Sequence, residues 1–174
     1  MGCGCGGGRV SIVLTSTGED FENWTGATTA YGGDTSHASV DLPAAAGTVY
    51  LEAATDLPSS GTVLVNNTTR STNTTYTALP AFKASEEDIG RTRWVVSNST
   101  RVALVTNVAV ERLELNTGTT LELAGWTLNV RSMAADGLPV RSGVYTAADM
   151  DRLTDAVGGG KVIVPAQATV IIIQ

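Results

Sequence analysis

Lysine is almost missing from this chain, which has only Lys83 and Lys161, and histidine occurs once, at His37. With 11 Lys and Arg against 17 Asp and Glu, the net charge is −6, the wrong sign for gathering phosphates by counterion release. The arginines are scattered and form no polybasic stripe, so neither nucleic acid nor an anionic membrane surface is an expected partner. No run of 18 apolar residues occurs, so no membrane insertion is expected. Met1 to Gly8 carries neither the basic region nor the apolar core of a signal peptide. A chain that begins there is expected to leave a cytoplasm by another route, such as assembly into a virus particle. Cysteine is confined to Cys3 and Cys5. So close a pair cannot staple distant parts of a fold, and it offers two ligands where a closed zinc site needs four. Unpaired thiols in a flexible leader over residues 1–8 are the expectation. Lipidation, intermolecular disulfides and a metal shared between subunits are the alternatives, and the myristoylation pattern fails at Gly6.

Aromatics are also scarce, at 5%, while apolar residues reach 43% and glycines number 19. A chain rich in Val, Ile, Leu, Ala, Thr and Gly suits many short strands joined by tight turns, and 174 residues suffice for one domain. Strands are expected over residues 9–15, with Val10, Ile12 and Leu14 on one face, over 47–51 and over 62–65. Residues 17–42 read as loops, with room for one short strand. Residues 66–77 read as a strand facing water or a surface loop, and 85–90 as one helical turn. From Trp94 onward the apolar pairs Val102/Leu104, Val108/Val110, Leu113/Leu115, Leu121/Leu123 and Leu128/Val130 recur with a few polar residues between them. Matching the first pair to the fourth gives a step of about nineteen residues, close to one turn of a three-faced parallel β-solenoid. Asn116-Thr117-Gly118 and Ala124-Gly125 fall where such a chain must turn a corner. Next come a turn at Asp136–Pro139 and a strand over 143–145. One short helix is expected near residues 146–157, capped by Thr146 and Asp149 and stopped by Gly158. Strands over 161–164 and 169–173 close the chain, the last apolar on both faces and needing cover from inside the domain or from a neighbouring subunit. The expectation is therefore an all-β chain, with a leader (1–8), an N-terminal β region (9–93, the same solenoid or a cap) and a β-solenoid (94–174); a β-sandwich or jelly roll is the alternative.

The string Leu113-Glu-Leu-Asn-Thr-Gly-Thr-Thr-Leu-Glu-Leu-Ala-Gly-Trp-Thr-Leu-Asn-Val130 resembles the repeat of the autotransporter-associated β-strand family. Asp136-Gly137, Gly143 to Ala148 and Gly158 to Val164 resemble the closing segment of such proteins, so residues 110–164 are covered, about a third of the chain. The resemblance implies a right-handed parallel β-helix displayed on cell surfaces or fibres, without catalytic activity. No export signal or outer-membrane barrel accompanies it, so autotransport is not implied. Virion decoration proteins, head fibres and tail spikes use the same architecture, and that setting suits a short leaderless chain.

Residues able to carry chemistry each have a plain structural use. His37 stands near Asp34, Asp41, Ser36 and Ser39, but no Gly-x-Ser-x-Gly turn presents a nucleophile. Glu86, Glu87 and Asp88, and Asp149, Asp151 and Asp155, are the carboxylate groups that a β-helix polysaccharide enzyme would use with calcium or as a proton donor; each also suits a helix N-terminus. Glu111, Glu114 and Glu122 alternate with inward leucines and are expected to point outward, with Arg112 and Arg131 as ion-pair partners. Asn-x-Ser/Thr occurs at Asn23, Asn66, Asn67, Asn73 and Asn98, as a Thr-rich chain produces by chance. Trp94 and Trp126 are assigned to core or corner packing.

No catalytic, cofactor or metal residue is assigned. Candidate contact residues are Trp24, Tyr31, Tyr76, Val170 and Ile172. The leading expectation is a structural or decoration protein of an extracellular assembly, a phage capsid or fibre surface, making homo-oligomers such as trimers and contacting other assembly subunits. A cell-surface adhesive or carbohydrate-binding module, with glycans as partners, is the second, and a polysaccharide-degrading enzyme the third.

Overall fold

A computed structural model describes residues 6–33, 44–68, 75–79 and 90–166. Strand-forming, β-branched composition gives thirteen short strands among them: β1 (Arg9–Val13), β2 (Thr48–Glu52), β3 (Thr62–Asn66), β4 (Thr77–Leu79), β5 (Arg93–Ser97), β6 (Arg101–Leu104), β7 (Val108–Leu115), β8 (Thr120–Glu122), β9 (Thr127–Ala135), β10 (Leu138–Pro139), β11 (Gly143–Tyr145), β12 (Leu153–Thr154) and β13 (Lys161–Val164). The chain is mostly β, with sheets of parallel strands. One sheet runs β1-β2-β3-β5-β7-β9-β13-β11 with β10 attached to β9; the other runs β12-β8-β6-β4. Among the described residues no helix is long and apolar enough to cross a membrane.

The register follows the apolar rhythm. Val102 lies beside Leu121 and Leu121 beside Leu153. Val108 lies beside Leu128 and Leu128 beside Val162, while Trp94, Leu113 and Met133 line up across three strands. Strand side chains alternate, so alignment in parallel register puts every apolar column on the same inward face. All ten paired apolar residues between Val102 and Val130 are buried, and Trp94 joins their core. Fully burying one such leucine stabilises by about 1.5–3 kcal/mol. Glu111 and Arg112 are two polar residues in succession and break the period. There β7 bends, both amides donating to the Thr92 carbonyl at 2.9 and 3.4 Å, and β9 carries the same polar pair at Arg131-Ser132.

Corners carry the special backbone angles. Gly118 (φ 76°), Ala124 (φ 50°) and Gly125 (φ 77°) are left-handed. The hydroxyls of Thr100 and Thr119 each donate to the carbonyl three residues earlier, both at 2.6 Å. Trp126 stands on the second corner, 38% exposed. Asn67, buried beneath the first half, accepts from Gly32 N, donates to Ala44 O and donates its own amide to Thr100 Oγ1. Every buried polar side-chain atom among the described residues has a partner.

The short strands β10 and β11 pair antiparallel with β9 and β13, and β2 pairs antiparallel with β3 at the other end. At the β13 end, the short reversed strands blunt the sheet edge against adding another chain. Gly7 and Gly8 of the leader are tied down, Gly7 N donating to Ala45 O and Gly8 O accepting from Thr48 N.

The helix expected near 146–157 does not form. Thr146 and Asp149 make the hydrogen bonds of a cap, Asp149 accepting from both Thr146 N and Thr146 Oγ1 at 2.7 Å. Two successive turns follow instead of a helix. Leu153 is drawn into parallel register beside Leu121, where it is buried, and a helix would have carried it away from that place. Tertiary burial overrides the local signal. The strand expected over 169–173 and the helical residues 85–89 lie outside the described residues.

Candidate functional site

The polar groups best placed for chemistry hold the chain together across neighbouring strands. Glu122 points outward from β8, as expected, and takes three hydrogen bonds: from Ala124 N, from Thr154 Oγ1 on the adjacent β12, and from Ala156 N. Asp155 closes the glycine-rich turn before β13 by accepting from Gly125 N, Gly158 N and Gly160 N. Asp136 sits at the β9–β10 turn, where Thr117 Oγ1 donates to it at 2.8 Å and Arg152 forks onto both its oxygens. The same guanidinium donates to Leu115 O. Asp149 and Asp155 of the 149–155 group are therefore separate turn fasteners. Among the described residues no three His, Cys, Asp or Glu side chains converge. His37 with its Asp and Ser neighbours, Glu86 to Asp88, Cys3 and Cys5 lie outside the described residues.

Titration follows these contacts. Arg152, then Thr117, holds the Asp136 carboxyl below the usual value, and hydrogen bonds from Thr146 lower Asp149. Desolvation pulls Asp155 upward, but the amides of Gly160, Gly125, Gly158 and Val157 outweigh it and the net shift is down. A depressed folded value contributes stability that is present above the unfolded value, about 3.9, and is lost as pH falls through the folded one. Melting temperature is accordingly expected to fall below about pH 4. Asp155→Asn should melt lower at pH 7 and lose part of that acid dependence; an unchanged acid slope would remove Asp155 from the account. Tyr50 shifts the other way. Burial, followed by its hydrogen bond to Glu52, pushes the phenol up to about 12. Glu52 also accepts from Ser59 N, and Tyr50 Oη from Gly61 N, so this pair clamps the β2–β3 turn.

On the outer faces, Arg131 pairs with Glu111 at 3.2 Å and Arg112 with Glu114 at 3.4 Å, the ion pairs the alternation predicts. Their side chains are one-quarter to two-thirds exposed, so they add little stability.

The candidate contact aromatics are spread over the surface. Trp24 is 43% exposed, edge-on to Phe21 with ring centroids 5.7 Å apart. Tyr31 borders a small cleft with Val49, Leu64 and Asn66. Tyr76 lies in a groove of about 530 Å³ with Gly6 to Arg9 and Ala45 to Thr48, and the Arg101 guanidinium covers its ring at 5.2 Å. Gly47 lines both hollows, so Tyr31 and Tyr76 border the same stretch of backbone; Trp24 borders neither. Val170 and Ile172 lie outside the described residues. Sequence reasoning missed the Asp136–Arg152 clasp, the Glu122 junction and buried Asn67. The available signal was spacing, since Asn98, Thr117 and Asp136 recur at the nineteen-residue step.

Searches against protein-family models, curated proteins and solved structures found no match to this chain.

Proposed function

We propose that this chain is a non-catalytic structural element, a right-handed parallel β-helix that works through its outer faces in an extracellular assembly such as a virion surface. One observation carries the reading. The polar side chains of Glu122, Asp136, Asp155 and Arg152 are engaged in joining one strand level to the next. An enzyme of this architecture would hold carboxylates converging on an open face. The nineteen-residue step from β5 to β7 and from β6 to β8, the break of period at Glu111-Arg112 in β7 and the apolar columns support winding around three faces.

Such an element meets copies of itself and other assembly subunits through its sides and ends. Sedimentation over a dilution series should show a defined oligomer that persists at low concentration. A monomer at every concentration would overturn self-association, and release of unsaturated ends from an acidic polysaccharide with calcium would overturn the non-catalytic part. A second reading, carbohydrate contact, is favoured by the Tyr76 ring bordering an open groove.

A further inference from the structure

A second groove, of about 500 Å³, opens beside the end of β13. Its apolar lining comes from Met133, Pro139, Val140, Val164 and Pro165. The charged residues on its rim, Glu111 and Arg131, pair with each other. We propose that this groove is the seat of the chain's own residues 167–174.

Three observations select that occupant. The described chain ends at Ala166, directly after Val164 and Pro165 in the groove's wall, so the groove lies within reach of the residues that follow. Those residues are Gln167-Ala-Thr-Val-Ile-Ile-Ile-Gln174, with no charge and four consecutive β-branched apolar side chains, matching the lining. At about 3.3 Å per extended residue they are long enough to cross it. Finally, the in-line path is closed. If β13 continued parallel to β9, residue 167 would fall beside Met133, following the register Val162↔Leu128. The Met133 carbonyl already accepts from Val140 N, and β10 occupies Ala134 and Ala135. Pro165, which has no N–H to donate, stands where the chain must step out of the sheet over Pro139 and Val140. A tethered segment at high effective concentration outcompetes the same segment from another molecule.

Disulfide trapping tests this independently of oligomeric state. In a background with Cys3→Ser and Cys5→Ser, Val140→Cys is combined in turn with Val170→Cys, Ile171→Cys and Ile172→Cys. Ser142→Cys, on the exposed rim, is a second anchor should Val140→Cys fail to fold. Oxidation of dilute protein should give, for at least one pair, a monomer without free thiols. Disulfides formed only between chains would assign the segment to a second copy and overturn the proposal. Failure of every pair to oxidise, with both anchors folded, would overturn it as well.

Discussion

Leu121→Ala is expected to lower the unfolding free energy by about 2–5 kcal/mol. Leu121 is fully buried in the middle of the four-stranded sheet, with Val102 beside it on one strand and Leu153 on the other. Removing its branched end leaves a cavity whose walls are themselves fixed by strand register, so neighbours cannot collapse into it at low cost. The loss should also reach Val102 and Leu153, because Leu121 is stacked between them in parallel register. Urea unfolding of Leu121→Ala beside Val144→Ala checks this. Val144 is 59% exposed, and its truncation should change stability by no more than about 0.5 kcal/mol. A Leu121→Ala loss below about 1 kcal/mol would mean that the column is not packed as described.

That column is also the part of the fold most legible in the sequence. Apolar-x-apolar pairs spaced by polar corners leave a chain few ways to hide both members of every pair, and parallel stacking in register is one of them. The corners could be placed from Gly118 and Gly125, which adopt the left-handed angles that glycine tolerates and most residues avoid; Ala124 adopts one as well without advertising it. The outward direction of Glu111, Glu114 and Glu122 followed from alternation alone. What each carboxylate would bond to did not, since Glu122 meets Thr154 and Ala156 across thirty residues of chain that the alternation says nothing about.

The misread helix shows where local signals stop. Thr146 and Asp149 make the capping bonds that their spacing promises, yet those bonds serve a turn as well as a helix. Nothing near Leu153 in sequence reveals that Leu121 offers it a buried place. In the first half β1 was legible from its alternation and β2 and β3 as apolar β-branched runs between turns, but their order and the antiparallel β2–β3 pairing were not. A long stretch of chain separates β1 from β2, and its described parts are tied by Asn67 and by glycine backbones, which have no periodic signature.

Those glycines carry the second large effect. At Gly47 an added methyl would run into the Gly8 carbonyl and the Gly7 backbone, and at Gly7 it would meet Ala30 O and Gly47 N. Three stretches of main chain therefore meet with no room for a side chain, and Gly47 N donates to Ala30 O there at 2.6 Å. Backbone cannot yield as the far end of a flexible side chain can, so Gly47→Ala must push the leader away from β2. Overpacking of this kind costs about 1–3 kcal/mol, occasionally more. The first bond to break is Thr48 N to Gly8 O, and the register of Arg9 to Val13 against Thr48 to Glu52 starts from it. Hydrogen exchange should show amides of β1 losing protection while those of β7 and β9 keep theirs, a local opening at one end of the sheet. Gly8→Ala is the control, because a methyl there meets nothing within 4 Å. Equal protection of β1 in Gly47→Ala and the parent chain would show that the leader is held by something other than this close glycine contact.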